Sequence, residues 1–274
     1  MTGAADPLYV LARKVLLDAL SALDAHLHAL VLVGAQAVYV HTGDAQLAVA
    51  EYTTDGDLAV SPSDLAGQPL ISELLTEPDW RLGDQPGRWT SREGVYVDLL
   101  VPEALAGPGS RGARLGPHGN KAARRAKGLE GALVDRNRHV ITALDPADRR
   151  ALEIWVAGPA ALLVAKTHKI AERAGSPARE RDKDALDVLR LLRGVPTGEL
   201  ADGLETLRSS ELAALVTREA LERLPDLFGD RSSEGVAMAV RAAGDSEDPE
   251  VIAASVVALT SELLDELLDR RKPL

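Results

Sequence analysis

The sequence contains no cysteine among its 274 residues. This absence excludes a disulfide framework, a zinc site with cysteine ligands and a cysteine nucleophile. No apolar run approaches the roughly 20 residues that cross a membrane, and the first ten residues, MTGAADPLYV, lack the basic and apolar regions of a secretory signal. We therefore expect a cytoplasmic protein with no membrane partner.

Basic residues are outnumbered by acidic ones, which gives a formal net charge of −11. A surface of this sign repels a nucleic-acid backbone. The segment 111–139 is the exception, because it carries eight basic residues and two acidic ones. A concentrated basic segment can hold a polyanion locally, and a solvated loop is the alternative.

Hydrophobic periodicity predicts an α+β fold in two parts. Residues 1–150 are expected to form a mixed β-sheet with flanking helices, and residues 151–274 a helical bundle. The elements that bear on function are expected as follows: a helix at 7–29, a buried strand at 29–35, strands at 53–60, 95–101 and 140–144, a basic helix at 121–133, and helices at 160–174 and 179–193.

An acidic pair begins the strand at 53–60. Asp55 and Asp57 are two residues apart, so on a strand they point to the same face. Like charges at this distance raise each other's pKa, and a divalent cation relieves the repulsion. The alternative is a simple turn, since Asp-Gly is a common turn dipeptide. If the strand at 95–101 lies alongside, Asp98 adds a third carboxylate to the same face.

Two further patterns suggest binding of an anion. Gly34 ends the buried strand and precedes a helix, and the free N–H groups of a helix N-terminus attract negative charge. Lys166, Lys169 and Arg173 share one face of the helix at 160–174. Asp184 follows in the next helix. The alternatives are a plain strand–helix corner and a salt-bridged helical hairpin in which Lys166 or Lys169 pairs with Asp184.

These motifs, in this order, resemble those of AbiEii-type (MenT-like) toxins in the polymerase-β-like nucleotidyltransferase superfamily. The resemblance covers roughly residues 28–193. Its motifs are Leu32-Val33-Gly34-Ala35, Asp55-Gly56-Asp57-Leu58, Val97-Asp98-Leu99, Leu162 to Lys166 with Arg173, and Lys183-Asp184-Ala185-Leu186-Asp187-Val188. The chain departs from the pattern at Ala35, where the family has glycine or serine, at Glu51-Tyr52, where many relatives have an arginine, and at Lys183, which replaces an arginine.

The resemblance implies a role for each motif. Asp55 and Asp57 would hold Mg²⁺ (or Mn²⁺) on the nucleotide phosphates, with Asp98 as the third metal ligand. Gly34 and Ala35 would contact the nucleotide. Lys166 would neutralise the triphosphate, assisted by Lys169 and Arg173, and Asp184 would orient Lys166 or the acceptor. A hydroxyl would attack the α-phosphorus in line and release pyrophosphate.

The resemblance also implies a nucleoside triphosphate substrate, an RNA acceptor such as a tRNA 3′ end, and a cognate antitoxin. The residues expected to contact RNA are Arg111, Arg114, Lys121, Arg124, Arg125 and Lys127. One alternative is transfer to a protein (AMPylation) or to the hydroxyl of an antibiotic. Another is a non-catalytic nucleotide-binding module.

Overall fold

The computed structural model describes residues 6–43, 53–172 and 178–270. It confirms an α+β protein with a mixed sheet. The strands are β1 (Leu30–Val33), β2 (Asp55–Val60), β3 (Arg81–Leu82), β4 (Arg88–Thr90), β5 (Tyr96–Pro102), β6 (Arg124–Ala126), β7 (Arg136–Thr142) and β8 (Ala151–Ala157). The helices are α1 (Pro7–Ala22), α2 (Gly34–Thr42), α3 (Ile71–Thr76), α4 (Pro159–Glu172), α5 (Ala178–Gly194), α6 (Thr197–Ser209), α7 (Ala214–Phe228), α8 (Glu234–Ala243) and α9 (Pro249–Asp269).

The described strands form one sheet in the order β3-β4-β5-β2-β1-β8-β7, with β6 paired to β5. The central strand β1 is buried at every position, as its unbroken apolar sequence predicts. It runs antiparallel to β2 and parallel to β8, while β2 runs parallel to β5. Asp57 is thereby placed between Val33 of β1 and Asp98 of β5.

Strand alternation gives the sheet two different faces. We call the face that carries Asp55, Asp57 and Asp98 the acidic face. Gly56 points to the other face, where α1 packs against β2 and β5. A Cβ on Gly56 would lie 3.2 Å from a methyl carbon of Leu16, so the helix approaches the strand closely at this point.

Helices α4 and α5 join the helical part of the chain to the sheet. Both pack against α2, which begins where β1 ends, and they pack against each other. The remaining helices then pack on these two, with α8 against α5 and with α6 and α7 against α4. Among the described helices, none combines the length and apolar character that crossing a membrane requires.

Three predicted elements are wrong or shifted. The basic helix at 121–133 is instead the short strand β6 and a 3₁₀ turn at Glu130–Leu133. Gly128 separates them with φ +83°, and a Cβ there would lie 2.8 Å from His168, so a regular helix cannot continue through it. The helix expected at 7–29 ends at Ala22 and is followed by a 3₁₀ segment, Asp24–Ala29.

The third difference is a strand at the start of the expected helical part. Residues 151–157 form β8, which lies between β1 and β7 in the sheet. Ile154 and Val156 of this strand are completely buried. The boundary expected at 150/151 therefore falls directly before a strand of the sheet, and the division into two domains stays a prediction.

Glycine is required at the junction of β1 and α2 by the left-handed backbone and by the close approach of Asp57. Matched variants measure the two effects separately. Gly34 has φ +72°, and a Cβ there would lie 2.2 Å from Asp57 Oδ2 and 3.0 Å from the Asp57 Cβ. Gly94 has a similar φ of +78°, with no heavy atom within 4 Å of an added Cβ. We expect Gly94→Ala to cost about 1 kcal/mol through the left-handed backbone. Gly34→Ala should cost at least about 1 kcal/mol more because of the added clash. Urea unfolding measures both, and equal losses would contradict the close approach of Asp57.

Candidate functional site

Three carboxylates meet on the acidic face because of strand register. Asp57 is the register partner of Asp98 on the neighbouring parallel strand, and Asp55 is the register partner of Tyr96. Adjacent strands lie about 4.8 Å apart. The prediction that Asp98 lies within cross-strand reach of the pair is confirmed.

Asp98 is held by two arginines. Arg88 donates from Nε to Oδ1 and from Nη2 to Oδ2, both at 2.9 Å. Arg124 Nη2 donates to Oδ2 at 2.9 Å. Asp98 is only 2% exposed. Burial raises the pKa of its carboxyl, but the hydrogen bond from Arg88 and the charge of Arg124 outweigh burial, so that the pKa lies below its ordinary value.

Asp57 has the opposite electrostatic environment. Burial, followed by the charge of Asp55, raises the pKa of Asp57 from 3.8 to about 6. The charges of Lys169 and Arg124 lower this pKa, and Asp98 raises it further. Asp57 thus carries negative charge that its neighbours do not fully compensate. A cation bound here would lower the energy of the ionised form.

A buried polar chain fixes the strand that carries the acidic pair. Arg13 of α1 donates to Gln36 Oε1 at 2.8 Å, to Tyr9 Oη at 2.8 Å and to the carbonyl oxygen of Thr142 at 3.0 Å. Gln36 Nε2 in turn donates to the carbonyl oxygen of Asp55 at 2.9 Å. The side chain of Asp55 accepts from Thr53 Oγ1 at 2.9 Å. The first residues of α2 and of β2 are therefore tied together.

Lys166 and Lys169 differ in their surroundings. Lys166 is 5% exposed, and its Nζ lies 2.8 Å from Asp184 Oδ1 and 2.6 Å from Asp187 Oδ2. Burial lowers the pKa of Lys166, but these two carboxylates outweigh burial and raise it. The Lys169 side chain is 35% exposed, with Nζ 3.3 Å from Asp184 Oδ1. The hairpin pairing considered as the alternative is therefore present, and Lys169 is the more accessible cation.

The six residues expected to contact RNA divide into two groups. Three of them are exposed and form no ion pair with the described residues: Arg111, Arg114 and Lys121. The other three expected RNA contacts have acidic partners in the structure. Arg124 binds Asp98, Arg125 Nε lies 3.5 Å from Glu103, and Lys127 Nζ lies 2.6 Å from Glu219.

Arg173 and Ala35 are expected to contact the nucleotide, but no side-chain contact among the described residues supports that role for either. Arg173 lies outside the described residues. Ala35 directly follows Gly34 in the first turn of α2, whose N-terminus has no side-chain cap among the described residues. The backbone N–H groups at this end are suited to an anion.

Sequence reasoning missed Arg88, Arg13, Gln36 and Asp187 as parts of the site. The sequence does contain a signal for Arg88, because Arg92-Glu93-Gly94 favours a turn between the strand-like segments at 88–90 and 95–101. A turn centred on Glu93 places residues 88 and 98, five positions to either side, opposite each other, and this register is observed. Gln36 and Arg13 carry no such signal, because they lie on two different helices and 23 residues apart in the sequence.

Magnesium fits two of the three carboxylates expected to bind it. Within 6–43, 53–172 and 178–270, no three acidic or histidine side chains are arranged as a metal site. Asp55 and Asp57 fit a divalent cation, since they share a face and repel each other. Asp98 fits less well, because both of its oxygens accept hydrogen bonds from arginines, whose positive charges oppose a cation there.

A cavity of about 690 Å³ lies away from these residues, where Asp18, Trp80, Arg92, Glu93 and Arg150 are among the lining residues. Most of its charged side chains form ion pairs, as in the contact of Arg150 with Asp18 at 2.5 Å. We place the candidate site on the acidic face instead, because uncompensated carboxylates, an accessible lysine and the uncapped N-terminus of α2 come together there.

No family model matches the chain, and no curated protein or solved structure matches it.

The raised pKa of Asp57 predicts pH-dependent stability. The unfolded chain loses this proton near pH 3.8 and the folded protein near pH 6, so stability falls as pH rises through this window. In metal-free buffer, Asp57→Asn should raise the free energy of unfolding at about pH 7.5 by on the order of 1–2 kcal/mol, allowing for partial exposure of the site, and change it little at about pH 4.

Urea unfolding at both pH values checks this expectation. Asp226→Asn, at an exposed position of α7, is the matched control and should change stability little at either pH. A stability loss in Asp57→Asn at the higher pH would show that the carboxylate is compensated in the folded protein.

Proposed function

We propose that the protein is a Mg²⁺-dependent nucleotidyltransferase. It transfers a nucleotide from a nucleoside triphosphate to an RNA acceptor, such as a tRNA 3′ end, and acts as the toxin of a toxin–antitoxin system of the AbiEii type. The observation that carries the proposal is the position of Asp57. Its carboxylate lies against Gly34 at the start of α2, beside Asp55 and within the electrostatic influence of Lys169 and Arg124.

This arrangement suits a metal-bound triphosphate. Asp55 and Asp57 would hold the cation, which when bound neutralises phosphate charge and stabilises the entering and leaving oxygens. The N-terminal amides of α2 and the ammonium group of Lys169 offer positive potential on the same side. Binding energy from these groups holds the α-phosphorus for attack by the acceptor hydroxyl, and pyrophosphate leaves.

The buried lysine has a different role in this proposal. Lys166 is enclosed by Asp184 and Asp187, which satisfy its charge. Its contribution is to hold α4 against α5, so that Lys169 is kept on the side of the acidic pair. Breaking a buried pair by removing one partner is costly, so Lys166→Ala should lower stability as well as activity.

The acceptor is assigned from charge and from the resemblance. Arg111, Arg114 and Lys121 are exposed cations with no ion pair among the described residues, in a protein of net charge −11. Exposed cations of this kind bind phosphate backbones. The ordered motifs resemble those of nucleotidyltransferase toxins, which supports transfer to tRNA and neutralisation by an antitoxin.

A transfer assay tests the proposal. Purified protein is mixed with Mg²⁺, each α-labelled nucleoside triphosphate in turn, and total tRNA or total cell protein. We expect label on RNA, reduced by about a hundredfold or more in Asp57→Ala and unchanged in Asp226→Ala. Charge reversal at Arg111 and Arg114 should weaken transfer by raising KM for RNA, without affecting nucleotide binding.

The possible outcomes are distinct. Label on protein alone would replace RNA with a protein acceptor. Absence of label on any acceptor, with no thermal stabilisation by any nucleotide and Mg²⁺, would contradict the proposed activity. Toxicity is tested by inducing the protein and Asp57→Ala in cells, and equal growth of the two strains would contradict the toxin role.

A further inference from the structure

The pair of arginines on Asp98 has more positive charge than its carboxylate neutralises. Arg88 and Arg124 contribute two positive charges and Asp98 one negative charge, so the group has a net charge of +1. Each guanidinium has five N–H donors. Asp98 accepts two hydrogen bonds from Arg88 and one from Arg124, so most of these donors have no acceptor within the part of the chain that the structure describes.

Both guanidinium groups are held in place and remain open to solvent. The side chains of Arg88 and Arg124 are 33% and 31% exposed, whereas Asp98 beneath them is 2% exposed. The Arg88 guanidinium carbon lies 4.2 Å from the centroid of the Tyr96 ring, which fixes its plane. Arg124 Nε is buried and has no hydrogen-bond partner among the described residues. A buried donor without an acceptor is costly unless something fills the position.

The arginine pair lies on the same face of the sheet as the acidic residues. Arg88 is the register partner of Asp98, which is the register partner of Asp57. All three lie on the acidic face. Arg88 on β4 and Arg124 on β6 both reach Asp98 on β5, the strand next to the proposed metal-binding pair on β2. Two planar guanidinium groups in fixed orientation are suited to bidentate binding of phosphate oxygens.

We propose that Arg88 and Arg124 form a phosphate-binding site for the polyphosphate of the nucleotide, and that Asp98 positions this pair and is not a metal ligand. This inference rests on the proposed function for the identity of the ligand. Asp98 keeps both guanidinium groups from turning towards the carboxylates of Asp55 and Asp57. The cation and the phosphates then bind to separate groups on neighbouring parts of the acidic face.

Binding of inorganic tripolyphosphate, measured calorimetrically in metal-free buffer, tests the phosphate site. Arg88→Gln and Arg124→Gln are each expected to weaken binding about tenfold or more. Arg241→Gln is the matched control, because Arg241 forms a similar bidentate pair with Asp182, at 2.7 and 2.9 Å, outside the site. The affinity of Arg241→Gln for tripolyphosphate should equal that of the unchanged protein. Failure of the unchanged protein to bind tripolyphosphate, or equal affinity in all variants, would overturn the proposal.

Binding of Mn²⁺, measured by electron paramagnetic resonance without nucleotide, tests the role of Asp98. Asp57→Asn should weaken Mn²⁺ binding about tenfold or more because it removes a carboxylate ligand, and Asp98→Asn should weaken it much less. Equal losses would make Asp98 a metal ligand and overturn this part of the proposal.

Circular dichroism establishes that each variant is folded. If Asp98→Asn unfolds, Arg88→Lys gives a second test of positioning, because it keeps the charge of Arg88 but not its bidentate geometry. It should weaken tripolyphosphate binding and leave Mn²⁺ binding unchanged.

These measurements separate the inference from the proposed function, since neither includes an acceptor. Arginine-dependent binding of tripolyphosphate without nucleotide transfer would leave the phosphate site standing and contradict the enzyme. Transfer to RNA that is unaffected by Arg88→Gln and Arg124→Gln would leave the enzyme standing and contradict the phosphate site.

Discussion

Repulsion among three carboxylates on one face of the sheet is the constraint on which the site depends. Asp55, Asp57 and Asp98 are brought together by strand register, and three like charges at this spacing destabilise a fold unless they are compensated. The chain compensates them unequally. Asp98 receives two arginines, whereas Asp57 keeps a raised pKa of about 6. The uncompensated part of the charge is therefore concentrated at Asp55 and Asp57, where a divalent cation would be bound.

The rest of the structure supports this unequal arrangement. Gly34 allows the Asp57 carboxylate to lie against the start of α2, and the Arg13–Gln36 contact holds β2 to the same helix. On the other side, the Lys166 ion pairs fasten α4 to α5. Lys169, one turn further along α4, is left accessible. In this account the buried polar groups are positioning groups, and the half-exposed ones are those that meet substrate.

Much of this could be predicted from local patterns. Alternation along the strand at 53–60 placed Asp55 and Asp57 on one face, and the apolar run ending at Gly34 predicted the junction of β1 with α2. Long-range contacts were harder. The expected metal-binding role of Asp98 follows from the resemblance, whereas its observed hydrogen bonds to Arg88 and Arg124 join three different strands. The expected helical part begins at residue 151 and so includes β8, although Leu152, Ile154 and Val156 alternate as the apolar residues of a strand do. A helix at 121–133 is wrong because Gly128 has a left-handed backbone and packs closely against His168. That contact is between residues 40 positions apart, so the local sequence does not reveal it.

The most direct test of the account is a crystal structure with Mn²⁺ and a non-hydrolysable nucleoside triphosphate, with anomalous scattering to locate the metal. The account predicts a manganese peak within ligand distance, about 2.2 Å, of Asp55 and Asp57. Asp98 should remain hydrogen-bonded to Arg88, and both arginines should contact phosphate oxygens. A manganese ion ligated by Asp98, with Arg88 displaced, would contradict the division of charge proposed for this site. A triphosphate bound away from the acidic face would contradict the site itself.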